Sequence, residues 1–359
     1  MFYISLFLSM ISLRVLTDAQ EQVKVYLYRF LLLFLFLFAG FRFQVGCDWS
    51  NYLLQYEGYR FSESSILNIS SFTEPLYLAI LRIVYYFDLS FMWVNAIFAG
   101  VFFYGVNKLA LRQKDPIVFL IFLFPVLILN MPMSGIRQGA AIGIMCIAFI
   151  SFMDKKLLNY VLWTIVASGF HLSALIFLAL IPFVKSGYTL KKLFLSIMLV
   201  LPFAYILYVS VFAETINLRY IESEYDAAGA VYRLGSLLIT SIVFFIFFQK
   251  SWKIHFPADH GILMLGFLIA TACFFLIPFS STVADRLGYY FIPIQAIFFA
   301  KIPFIPNIKM KFIWVIIPYF LVSILFIGWI SLSDLYQICY DPYLNYITGV
   351  PAIEGIYGN

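Results

Sequence analysis

Residues 130–153 read NMPMSGIRQGAAIGIMCIAFISFM. The run is long, apolar and not alternating, which is the pattern of a membrane-crossing helix rather than a strand. Pro132 and Ser134 mark its start, with Ser134 as the expected N-cap and Arg137 at the third helical position. A cation there is opposed by the helix dipole by about 0.3–1 kcal/mol at an exposed surface. Gly135, Gly139 and Gly143 form a small-residue stripe suited to close helix packing. Two residues further on is about 200° around a helix, so Arg137 is expected to point away from that stripe.

The rest of the 359 residues follows the same composition, with 64% hydrophobic and only 11% charged residues. No water-soluble globular chain of this length has that balance. The expected fold is all-α: a polytopic integral membrane protein of about 12 crossings (11–14), with short re-entrant or interfacial segments and no soluble domain. Apolar runs cover roughly 2–17, 25–41, 90–107, 116–133, 135–153, 157–169, 171–184, 193–212, 233–249, 261–279, 286–300 and 312–332. The apolar N-terminus lacks a basic leader region and is expected to be a retained helix. No repeat, low-complexity tract or nucleic-acid signal is evident.

Lysines set the sidedness. Lys108 and Lys114, Lys155 and Lys156, Lys185 to Lys192, Lys250 and Lys253, and Lys301 to Lys311 fall in alternating loops, which places them on the cytoplasmic side. Lys24 joins them if 76–87 dips into the membrane and returns. The 157–184 stretch has lysines at both ends, so it is expected to cross twice, with a turn at Ser168-Gly169. The whole chain then reads as one transmembrane domain with both termini outside. Its outer parts are 42–89, comprising a loop and a short helix, the loop 213–232, and the tail 333–359. The outer face holds Arg42, Arg60, Arg82, Arg137, Arg219, Arg233 and Arg286 but no lysine, and 13 of the 18 acids. Insertion does not require arginines within an acidic surface, so another reason is needed.

Arg137 either snorkels or pairs with an acid, or forms an anion site with free helix N–H groups and the Gln138 amide. DRLGYYFIPIQ at 285–295 repeats the theme. Thr282 and Asp285 fit a capping box, Arg286 is in the first turn, and Tyr289 and Tyr290 lie on its face. Arg233 opens a third helix, where Glu222, Glu224 and Asp226 are candidate partners. His171 is the one histidine assigned outside, and is either structural, a proton acceptor or a phosphate donor. Asp48 either caps the helix starting at Trp49 or serves as a base or sugar-hydroxyl acceptor. Glu74, before Pro75, is a second carboxylate. Trp49, Tyr52, Tyr340 and Tyr343 offer faces for sugar stacking, although interfacial belts also use such residues. The four cysteines have no metal-ligand spacing, and no cofactor is expected. Cys146 and Cys273 read as core residues, while Cys47 and Cys339 share the outer side, where a disulfide is one alternative.

RFQVGCDWSNY, SGIRQGAA, SGFHLSALI and DRLGYYF together resemble the EpsG-like branch of Wzy-type polysaccharide polymerases, including O-antigen polymerases. Cys47 departs from the small hydroxyl residue more usual there. The resemblance implies an enzyme of the bacterial cytoplasmic (inner) membrane with its active site facing the periplasm. It implies transfer of a growing glycan from undecaprenyl diphosphate to a lipid-linked oligosaccharide repeat unit, without a nucleotide sugar. A chain-length regulator and a flippase are implied partners. On that reading Arg137, Arg286 and Arg233, with Gln138 and Tyr290, would hold the diphosphate. The base would be His171, Asp48 or Glu74. The rival readings are a lipid-linked oligosaccharide flippase, which needs charges along a path open to both sides, and another membrane transferase such as an O-antigen ligase.

Overall fold

A computed structural model describes residues 1–61, 74–185, 187, 189, 191–199, 227, 229–306 and 308–349. Side chains 59–61 are not described. The regular elements among the described residues are all helices, and the β pairing there is limited to isolated bridges at Arg42–Asn345 and Asn345–Gly349. Among the described residues six helices are long and apolar enough to cross a membrane: Glu21–Gly40, Ile136–Met153, Ala230–His255, Pro257–Leu276, Ser281–Phe304 and Lys311–Leu332. Five shorter apolar helices accompany them. The expected crossing at 193–212 and the loop at 213–232 lie largely outside the described residues, as does the tail beyond 349.

Ile136–Met153 is the centre of the bundle. It is 83% buried, whereas Lys311–Leu332 is only 17% buried, so the latter presents its apolar surface outward to lipid. The central helix packs against Phe91–Ala110 on one side and Leu157–Phe170 on another. Glycine permits the first contact. A Cβ on Gly105 would fall 1.7 Å from the Gly143 carbonyl oxygen, and one on Gly143 would fall 2.6 Å from Phe102 Cα. The expected stripe is thus used only in part between helices. Gly139 instead abuts the chain's own Met131–Pro132 turn.

The 157–184 stretch folds back on itself. Tyr160 donates to the Phe177 carbonyl at 2.5 Å. In one straight helix those residues would be about 26 Å apart. The turn falls at His171, whose backbone is extended, rather than at Ser168-Gly169. A 3-10 helix, Leu172–Phe183, forms the returning limb. Pro75–Tyr86 has 12 residues. Its length of about 18 Å is well short of a hydrocarbon core of about 30 Å.

The loop after Glu21–Gly40 is clamped to the tail. Cys47 and Cys339 form a disulfide that joins positions 292 apart in the chain. Gly46 N–H donates to the Cys339 carbonyl, and Phe43 N–H to that of Leu344. Gly46 has φ +103° and touches Met133, so a side chain there is excluded twice. Arg42 is fully buried beneath this clamp and donates to the carbonyls of Ala39 and Val45 and to Asn95 Oδ1. It is therefore a strut of the loop, not a surface cation.

Candidate functional site: a cavity lined by three arginines

A cavity of about 760 Å³ opens where the Trp49, Ile136, Ala230 and Ser281 helices meet the tail. Its wall includes Asp48, Tyr52, Arg137, Gln138, His171, Arg233, Arg286 and Tyr340. These residues come from sequence positions nearly 300 apart and were each singled out from local patterns.

The Arg137 wall is built from two helix starts. Glu74 precedes Pro75, the first residue of its helix, and a proline tolerates that place because its missing N–H has no helical partner there anyway. Glu74 Oε2 accepts from Arg137 Nη1 at 2.7 Å. The guanidinium lies over Tyr77 and Tyr52, 5.2 and 5.6 Å from their ring centroids. Such stacking suits a planar cation. Tyr77 was missed from sequence, although it stands one helical turn after Glu74. The helix itself begins at Ile136, after Gly135. Ser134 is not its cap. The Ser134 hydroxyl instead donates to Asp48 Oδ2 and accepts from the Asp48 backbone N–H, both at 3.3 Å.

The opposite wall carries Arg233. It forms a fork with Asp285, Nε to Oδ1 at 2.8 Å and Nη2 to Oδ2 at 2.7 Å, and lies over Tyr289 at 5.2 Å. This corrects two expectations. Ser280, not Thr282, caps the Ser281–Gly288 helix by accepting from Val283 N–H, and Asp285 is the arginine's partner rather than a cap. Arg286 sits in the last turn of that short helix, not the first. The acids first considered for Arg233, Glu222, Glu224 and Asp226, lie outside the described residues, as do Arg219 and the Arg60 side chain. Gln138 joins the two walls, its amide donating to the Arg286 carbonyl at 2.5 Å.

His171 enters from the re-entrant turn. Its Nδ1 is 2.6 Å from Ser173 Oγ, which is 3.0 Å from the Tyr290 hydroxyl. Arg286 and Arg137 line the same cavity as the ring. Tyr290 is fully buried and is not among the residues that line the cavity. Trp49 and Tyr343 also stand behind the wall. Trp49 packs edge-on between Phe43 and Phe91, and Tyr343 stacks on Phe38 and donates to its carbonyl. Packing accounts for both placements. Ser134, expected as a helix cap, and Ser173, within SGFHLSALI, are further polar groups of the site that the sequence reading gave no site role. Among the described residues no three His, Cys, Asp or Glu side chains converge to hold a metal ion.

A sequence model described as the EpsG family matches residues 25–348, from the second helix to the clamped tail. The chain belongs to the EpsG family. EpsG-like proteins are Wzy-type polymerases, and membership supports a polysaccharide polymerase-like role. No curated protein and no solved structure matches the chain. In this EpsG-family protein all three arginines expected at an anion site line one cavity, with Asp48 and His171 on the same wall.

Proposed function

We propose that this protein is a polysaccharide polymerase. It transfers a growing glycan from undecaprenyl diphosphate to a lipid-linked repeat unit on the periplasmic face of the inner membrane. The observation that carries the reading is the convergence of Arg137, Arg233 and Arg286 from three helices on one cavity. Its volume lies within the range of small-ligand pockets.

The reaction breaks the bond between the anomeric carbon and the diphosphate and forms one to an acceptor hydroxyl. The leaving diphosphate takes up negative charge, which preorganised donors in a partly dry site stabilise far better than water does. Arginine suits this task because its planar fork can hold two phosphate oxygens at once. Arg137 and Arg233 are held in place by Glu74 and Asp285, so little reorganisation is needed when the diphosphate arrives. The acceptor hydroxyl must lose its proton. Glu74 is committed to Arg137, which leaves His171 and Asp48, the latter half-buried and oriented by Ser134, as the candidate bases. Tyr52 and Tyr340, the two expected stacking tyrosines that line the cavity, would meet the sugars.

The Cys47–Cys339 disulfide supports the periplasmic assignment, because such bonds persist in oxidising compartments and Cys47 lines the cavity. The lysine distribution points the same way. The test is to incubate purified protein with lipid-linked repeat units alone. A ladder of lengthening glycans is the expected result. Units that only cross a bilayer, or that join only to lipid A core, would overturn the reading.

A further inference from the structure

Whether His171 presents a donor or an acceptor to the cavity is decided by the groups behind it. Three polar atoms form a chain: Tyr290 hydroxyl, Ser173 Oγ and His171 Nδ1. Each hydroxyl has one hydrogen to give. The chain can therefore run in three ways. In the first, Tyr290 donates to Ser173 and Ser173 donates to Nδ1. In the second, Nδ1–H donates to Ser173 and Ser173 donates to the tyrosine oxygen. In the third, Ser173 Oγ accepts from both Nδ1–H and the tyrosine hydroxyl and gives its own hydrogen elsewhere.

The supply of acceptors separates them. Tyr290 is 0% exposed, and Ser173 is its one hydrogen-bonding partner among the described residues. In the second arrangement its hydroxyl hydrogen has no acceptor there. An unmade hydrogen bond on a buried group costs about 1–3 kcal/mol. In the third, the hydrogen of half-buried Ser173 has no acceptor among the described residues. The first alone gives every hydrogen of the chain a partner. It makes Nδ1 an acceptor, so the neutral ring carries its proton on Nε2. Nδ1 is occupied by Ser173, which leaves Nε2 as the ring nitrogen for the cavity.

We infer that His171 is a fixed N–H donor to the oxygen atoms of the bound anion, held in that tautomer by Ser173 and Tyr290 as positioning residues, and is not the general base. The identity of that anion as a lipid diphosphate rests on the proposed function; the tautomer does not. The donor shares the cavity with Arg137 and Arg286. A nitrogen that already bears hydrogen cannot take a proton from an acceptor hydroxyl. The base role therefore falls to Asp48, on the wall tied to Ser134.

The test reads the tautomer directly. Protein labelled with ¹⁵N at histidine is compared with a His171→Gln sample to assign the ring, at mildly alkaline pH and without substrate. The expected result is hydrogen on Nε2 in the native chain. Tyr290→Phe, which removes the chain's first donor and fills the same space, is expected to let an Nδ1–H population appear. Hydrogen on Nδ1 in the native protein would overturn the inference, and so would no change in Tyr290→Phe. In the ladder assay, His171→Gln, which keeps an N–H donor, is expected to retain at least tenfold more activity than His171→Glu, which offers a base without a donor. Higher activity in His171→Glu would overturn the donor role. Because the tautomer is read without substrate, a failed ladder would count against polymerisation alone.

Discussion

Arg137 and Glu74 are 63 positions apart in the chain and 2.7 Å apart in the fold. The pair explains how a cation can stand at a helix start that disfavours it. Glu74 offsets the dipole, and two tyrosine rings hold the guanidinium flat. Replacing Arg137 by Lys keeps one charge but loses the fork and the stacking surface. We expect glycan elongation to fall by roughly 100-fold or more, the scale of losing one preorganised donor, while protein level holds. Quantified ladder assays on purified protein check this, and near-normal elongation would remove Arg137 from the mechanism.

The Arg233–Asp285 fork separates a structural role from a chemical one. Asp285→Asn leaves a half-buried arginine without its counter-charge. Breaking a fully buried pair costs about 3–5 kcal/mol, so a smaller but clear drop in the thermal midpoint is expected. A double substitution, Arg233→Met with Asp285→Leu, should recover much of that stability, because both charges are gone. It should not recover elongation. Recovery of activity in the double variant would show that Arg233 serves the fold alone.

Gly105 and Gly143 let two helices touch through their backbones. Gly105→Ala places a methyl group 1.7 Å from a carbonyl oxygen, an overlap that only helix separation can relieve. Overpacking of a tight interface costs about 1–3 kcal/mol, and this position has backbone on the far side rather than a side chain able to move. Lower yield of monodisperse protein and a reduced thermal midpoint are the expected outcomes. Gly328→Ala serves as the control, since a methyl group there meets nothing within 4 Å.

The Cys47–Cys339 bond holds the loop that carries Asp48. Cys47→Ser is expected to destabilise the protein towards the lower end of the ~2–5 kcal/mol range for native disulfides. Inserted helices already restrain the chain ends, so less entropy is released than in a soluble chain. Elongation should fall because the Asp48 loop loosens. Thiol alkylation with mass readout should find no free Cys47 or Cys339 in native protein. A fully alkylatable pair would contradict the clamp and the oxidising assignment together.

Much of the architecture was legible in the chain because lipid allows few alternatives. Long apolar runs must be helices when no water can satisfy the backbone. Lysines at both ends of 157–184 required the chain to return, and Tyr160 bonded to Phe177 shows that it does. The arginines at 137, 233 and 286 stood out because a guanidinium in an apolar helix is costly without a purpose.

Partners and directions were not legible. Asp285 read as a helix cap and became the fork that holds Arg233, because Ser280 took the capping bond first. Tyr340 and Tyr343 are alike in sequence, yet one lines the cavity and the other packs on Phe38. The chain alone determined that this is a helical membrane protein with cations gathered near its outer helix ends, since those follow from hydropathy and the cost of burying charge. Only the tertiary structure decided which carboxylates answer Arg137 and Arg233 and which polar groups stand behind His171. Those depend on ångström-scale contacts between residues up to 117 positions apart, and no local pattern encodes them.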